Sequence, residues 1–216
     1  MDRSAAMSRV AIVDYGMGNL RSVANALRQV GTEPAIVDRP EDLTHFERVI
    51  LPGVGAFQQA MEHLDASGLG AAVDGARRSG KPILGICLGM QLMCRGSEEG
   101  ALAGASHAGL GWVDAQVRRF PVRPGLKVPH MGWDDVQRAG AHPLIEGVAD
   151  GSDYYFVHSY YVDCAHGDDV LLAGDYGVPY CAVFAHGNVV GAQFHPEKSQ
   201  QAGLRLLKNF LAWTPC

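Results

Sequence analysis

Short apolar runs alternate with stretches of helical periodicity over the first 94 residues, and no other feature restricts the fold of this chain as strongly. Residues 9–15 read as a buried strand that ends at Gly16. Leu20, Val23, Ala24, Leu27 and Val30 then recur at the spacing of one helix face, and Gly31 stops that helix. Residues 35–38 and 48–51 are two further strands, the second ending before Pro52. Residues 56–78 are mostly helical with a break at 67–70, residues 82–87 form a fourth strand, and 88–94 open another helix. Strands alternating with helices in this way predict an α/β fold with an open, mostly parallel sheet and helices on both faces.

After Gly96 the pattern changes. Residues 111–120, 154–163, 170–175, 180–186 and 189–194 read as strands on short connections, with a hairpin turn at 185–188. They predict an antiparallel extension in the C-terminal half. Residues 199–213 read as a closing helix with Leu204, Leu207, Phe210 and Leu211 on one face. No repeat or low-complexity linker divides the chain, so residues 9–216 are expected to form a single domain. Residues 1–8 are expected to be a flexible tail, with Met7 an alternative start.

Composition excludes several classes. The net charge is −5 with no long basic run, which argues against nucleic-acid binding. No apolar run approaches the roughly 18 residues of a membrane span, and residues 1–8 lack the apolar segment of a secretory signal. A cytoplasmic protein is expected. The cysteines Cys87, Cys94, Cys164, Cys181 and Cys216 form no C-x-x-C pair, so neither a disulfide framework nor a metal site is expected, and no cofactor is called for.

Gly85-Ile86-Cys87-Leu88-Gly89 lies between a buried strand and a helix, the cysteine form of a nucleophile elbow. So sharp a turn projects Cys87 outward, its glycines remove Cβ atoms that would clash, and the helix start behind it favours a thiolate. The backbone N–H of Leu88 is placed to donate to an oxyanion. The competing reading is a structural cysteine between two chance glycines. His195-Pro196-Glu197 ends an apolar strand, and residues two apart in extended chain project to one side. His195 and Glu197 can therefore face each other, the carboxylate fixing the tautomer of the imidazole. Alone, an H-x-E step is easily accidental. Together with the elbow it supplies nucleophile, base and orienting acid, at the strand ends where open α/β sheets bind ligands.

At this point the sequence resembles the class I (triad) glutamine amidotransferases, which have a flavodoxin-like sheet, and more narrowly the family of glutaminase subunits of imidazole glycerol phosphate synthase. The elbow and the His-Pro-Glu step mark the wider family. Asp14-Tyr15-Gly16-Met17-Gly18-Asn19-Leu20, Pro129-His130-Met131-Gly132-Trp133 and Phe156-Val157-His158-Ser159-Tyr160 point to the narrower one. The resemblance implies hydrolysis of L-glutamine to glutamate and ammonia through a thioester on Cys87, with His195 and Glu197. It implies delivery of the ammonia to a cyclase subunit, a (β/α)8 barrel, in a heterodimer that makes imidazole glycerol phosphate for histidine biosynthesis. Leu88 and the Gly53–Val54 peptide would form the oxyanion hole, and turning of that peptide would be the switch controlled by the partner. Gly55, Gln91, Glu99, His158, Ser159 and Tyr160 would hold the substrate, and Asn19, Trp133, Tyr155 and Lys198 would face the cyclase. Asp134 departs from the family, which more often carries asparagine there.

Two other readings compete. Gly16-Met17-Gly18 after the first strand, with Asp38 about 20 residues on, has part of a dinucleotide-binding fingerprint, although Arg21 stands where the third glycine belongs. That reading predicts a non-enzymatic binding module. A free-standing cysteine hydrolase of similar fold would act without a partner and without preference for glutamine.

Overall fold

All four residues of strand β1 (Val10–Val13) are buried, as a strand covered on both faces requires. The computed structural model describes residues 9–215; the expected tail at 1–8 and Cys216 lie outside the described residues. After β1 come α1 (Leu20–Gln29), β2 (Ala35–Val37), β3 (Arg48–Gly53), α2 (Phe57–Ser67), α3 (Leu69–Arg78), β4 (Ile83–Cys87) and α4 (Leu88–Leu92). The second half contains β5 (Gly96–Ser97), β6 (His107–Ala108), β7 (Ala115–Arg119), β8 (His130–Arg138), β9 (Ser152–His158) and β10 (Tyr160–Cys164). It closes with β11 (Val170–Asp175), β12 (Pro179–His186), β13 (Val189–Ala192) and α5 (Gln200–Ala212).

The main path of the sheet runs β2-β1-β3-β4-β13-β12-β10-β7-β5-β6, parallel from β2 through β13 and antiparallel from β13 through β7. Off that path β11 bridges β12 and β8, and β8 pairs with β9. Alternate side chains sort to opposite faces. Ile12, Ile50 and Leu84 join Leu27 of α1 and Phe210 of α5 in one core. Ala11, Val49, Leu51 and Ile83 join Leu64 of α2 and Val73 of α3 in the other. This is the α/β architecture that the alternation of runs predicts. Among the described residues no helix is long and apolar enough to cross a membrane.

Several elements differ from the sequence reading. β3 continues through Pro52 to Gly53. Val49 N–H points to the β4 side, so the nitrogen of Pro52 faces the β1 side, where pairing has already ended at Ile12 opposite Ile50. No ladder bond is lost there. The 154–163 run is two strands, β9 and β10, that break at Ser159 and join different neighbours. The 111–120 run is a strand only at Ala115–Arg119, because Leu110 and Trp112 spend their N–H groups on Leu92 and Met93 carbonyls. β8 was not expected. On α5 the buried stripe is Gly203, Leu206, Leu207 and Phe210, with Leu204 and Leu211 only half-buried.

Candidate active site

Strand register brings the nominated residues to one edge of the sheet. Gly53 of β3 lies opposite Cys87 of β4, and Ala192 of β13 lies opposite Ile86. Chain leaving β3, β4 and β13 in parallel therefore emerges side by side. Cys87 sits at φ 53° and ψ −109°, a conformation that an L-residue adopts only where its surroundings impose it. Those surroundings are tight. A Cβ on Gly89 would run into the Leu51 carbonyl oxygen, and one on Gly85 would lie 2.7 Å from the Gly89 backbone. The helix behind the turn, α4, is only five residues long, so steric shape defines this elbow more than a helix dipole does.

His195 meets both its expected partners. Cys87 acts on its ring to favour the charged form, and its Nδ1 lies 2.9 Å from Oε1 of Glu197, with the two side chains 4% and 1% exposed. Burial works to lower the pKa of His195, but hydrogen bonds and charge from Cys87 and Glu197 outweigh it and push the pKa up to about 10. Glu197 Oε2 is buried with no hydrogen-bond partner among the described residues, so the imidazole is the group this carboxylate serves. The main chain is pinned as well. His195 N–H donates to the Tyr155 carbonyl, and Ser199 Oγ accepts from Tyr155 N–H while donating to the His195 carbonyl.

A cavity of about 300 Å³ opens over Cys87, lined also by Leu88, Val54 and His195. Gly55, Gln91, Glu99, His158, Ser159 and Tyr160 all line it too. Gly53 lies beneath, with a Cβ there only 2.8 Å from Leu88 Cβ and Gly89 N. Gln91 is buried and donates to both the Tyr160 carbonyl and Gln193 Oε1. Glu99 is not simply a solvated acid: it is half-buried and accepts the Phe57 N–H at the start of α2. Trp133 and Tyr155 pair across β8 and β9 with ring centroids 6.0 Å apart. Lys198 Nζ lies 5.7 Å from the Tyr155 ring centroid, and Asn19 sits at the start of α1. A larger cavity, about 660 Å³ between α1 and α5, has no cysteine, histidine or carboxylate in its lining. The Gly16–Gly18 turn packs against the end of β3, with Gly18 against Pro52 and Met17 against Gly55.

Sequence reasoning missed several contributors. Gln193, fully buried, points Nε2 at Cys87 Sγ from 3.8 Å, and the Val157 carbonyl lies 4.0 Å from the same sulfur. Tyr15 donates to the Pro52 carbonyl at 2.8 Å and so holds the peptide just before Gly53. His130 stands behind His158 at 3.0 Å. Tyr15 and His130 lie inside the motif segments and Gln193 two residues before the His-Pro-Glu step, but nothing local signals which of these residues face the cysteine.

Residues 11–213 match the family model for class-I glutamine amidotransferases. The imidazole glycerol phosphate synthase subunit HisH of Methanosarcina acetivorans is 49% identical over 207 residues, covering 95% of this chain and 98% of its own. The subunit of the same name from Bacillus cereus is 47% identical over 203 residues, 93% of each chain. Among solved structures, PurLQS from Thermotoga maritima superposes with a TM-score of 0.73 at 21% identity, over 95% of this chain and 98% of that one. A structure described as glutamine amidotransferase gives 0.72 at 20% identity, over 94% and 99%. At those identities the structural likeness concerns the fold.

Proposed function

The chain belongs to the class-I glutamine amidotransferase family, and within it to the imidazole glycerol phosphate synthase subunits HisH; on that premise we propose that Cys87, His195 and Glu197 hydrolyse glutamine and that the ammonia passes to a cyclase subunit. The observation that carries this reading is the buried line Cys87–His195–Glu197 at the floor of a cavity on the carboxyl edge of the sheet.

Cys87 attacks the side-chain amide of glutamine, and His195 gives its proton to the departing ammonia. Water activated by the same histidine then releases glutamate from the thioester. Glu197 holds the imidazole in the required tautomer and stabilises its cation. Leu88 N–H and the Gly53–Val54 peptide stabilise the oxyanion, each donor being worth about 10²-fold in rate. The close approach of Gly53 to Leu88 supports that role, and turning of the 53–54 peptide under partner control remains part of the proposal. Gly55, Gln91, Glu99 and the 158–160 segment hold the glutamine.

Residues 9–216 act as one amidotransferase domain in the cytoplasm, paired with a (β/α)8-barrel cyclase that makes imidazole glycerol phosphate for histidine synthesis. The exposed Trp133, Tyr155 and Lys198 group, with Asn19, faces that partner. Direct delivery has a chemical reason, since ammonia free in water near neutral pH is largely protonated and no longer nucleophilic. The test is glutamate release by the purified chain, alone and with the cyclase subunit and its nucleotide ligand, beside a Cys87→Ala variant. Low activity alone and a large rise in the complex are expected. High activity without the partner refutes the gated subunit, and activity surviving in the variant refutes the nucleophile.

A further inference from the structure

Behind the wall of the cavity three polar contacts run in line. Asp134 Oδ2 lies 3.0 Å from His130 Nε2, His130 Nδ1 lies 3.0 Å from His158 Nε2, and His158 Nδ1 lies 2.9 Å from the Tyr160 carbonyl oxygen. His130 and His158 sit directly opposite each other on β8 and β9, and Asp134 follows His130 on the same face of its strand. Each contact needs one hydrogen between its two heavy atoms, and both ends of the line, a carboxylate and a carbonyl, can only accept. The line requires three hydrogens, while two neutral imidazoles bring two.

We propose that the line holds one extra proton, on His130 against Asp134, and that this pair is a positioning device for the 158–160 segment that walls the glutamine site. The location on His130 follows from the surroundings. Burial, helped by the charges of His130 and His195, pushes the pKa of His158 down to about 3, so His158 stays neutral with its hydrogen on Nδ1 toward Tyr160. At His130 burial also outweighs the opposing Asp134 charge and hydrogen bond and leaves the pKa below the ordinary histidine value, so the extra proton sits on His130 on the acid side, with Asp134 as its counter-charge. The titratable groups facing His130 are Asp134 on its own strand, His158 on β9, Tyr176 stacked at 3.9 Å and Tyr180 edge-on at 6.3 Å. The phenol of Tyr180 is pushed further up by burial and stays neutral, leaving Asp134 as the one anion among them.

The line does not end at Tyr160. The same carbonyl accepts from Gln91, Gln91 also holds Gln193, and Gln193 points at Cys87 Sγ. Asp134, 30% exposed, is the wet end of this network and Cys87 the dry end. When the extra proton leaves as pH rises, the outer contact becomes lone pair against lone pair. Asp134 is then free to turn to water, and the His130 ring loses one of its two anchors.

The proton count rests on geometry, while its effect on glutamine rests on the function proposed above, so two readouts separate them. Long-range ¹H–¹⁵N spectra of histidine-labelled protein distinguish imidazolium from each neutral tautomer. In the wild type His130 is expected as imidazolium at mildly acid pH, losing its proton as pH rises, with His158 neutral throughout. In Asp134→Asn the side-chain amide supplies the third hydrogen, and His130 is expected neutral with its hydrogen on Nδ1 at every pH. A wild-type His130 that is neutral over the whole range, or a variant that titrates like the wild type, overturns the proton count. For glutamine hydrolysis by the complex, KM of the wild type is expected to rise with pH through the His130 titration by up to about tenfold. KM of Asp134→Asn is expected to stay flat, and that of Asp134→Ala to be raised at all pH. A purely structural role would move both variants alike, and a wild-type KM indifferent to the titration overturns the positioning role. If no glutamine is hydrolysed at all, the functional reading fails and the spectra still decide the proton count.

Discussion

Replacing Glu197 by glutamine removes one negative charge from a buried pair while keeping an oxygen that can accept from His195 Nδ1. A proton bound with a pKa of about 10 instead of the usual 6.5 is held tighter by about 5 kcal/mol. Two partners, Cys87 and Glu197, oppose burial there; taking their shares as equal, the carboxylate accounts for about 2–3 kcal/mol. If all of that support acts on the imidazolium formed during reaction, Glu197→Gln loses about 10²-fold in kcat/KM. Stability carries the same signature with a definite sign. A histidine whose folded pKa is raised contributes stability that is fully present below pH 6.5 and lost as pH rises through about 10. Wild-type Tm should therefore fall across that window, and the variant should show a shallower fall from a lower start. The assay is a set of thermal melts across the window, with the His195 titration followed by NMR. An unchanged slope, with His195 still titrating near 10 in the variant, would refute the assignment of Glu197 as its stabilising partner.

Other substitutions probe other parts of the site. Gly89→Ala drives a Cβ into the Leu51 carbonyl, and a loss of about 3 kcal/mol or more is expected in the denaturant midpoint. Tyr15→Phe leaves the buried Pro52 carbonyl without its donor, and chemical denaturation should show a loss of about 1–3 kcal/mol. Trp133→Ala removes a half-exposed aromatic beside Tyr155; calorimetric affinity for the cyclase should weaken by about 2 kcal/mol, with the Tm of the isolated chain nearly unchanged.

What could be read in the sequence was whatever a short segment encodes by itself. The alternation of β1 through α4 is a matter of spacing, and the elbow and the His-Pro-Glu step each fit within five residues, so Cys87, His195 and Glu197 stood out before their meeting in space was known. Contacts that join distant segments were not legible. Gln193 reaches Cys87 across 106 positions, and Glu99 reaches the start of α2 across 42; neither leaves a local pattern. Strand β8 was hidden because a strand with one wet face carries Asp134, Asp135 and a glycine where a strand buried on both faces would carry apolar residues. The break at Ser159 was hidden for the opposite reason, since strand-forming residues run without interruption on both sides of it.

Tyr155 spends both of its main-chain groups on the segment that carries His195, its carbonyl on the His195 N–H and its own N–H on Ser199. Among the described residues β9 pairs only with β8, so its second edge is closed by the turn bearing His195 instead of by another strand. The half-exposed rim of Trp133 and Tyr155 is thus tied through the main chain to the imidazole at the cavity floor. A load on the main chain of Tyr155 reaches His195 directly through one hydrogen bond and by way of Ser199 Oγ through two more.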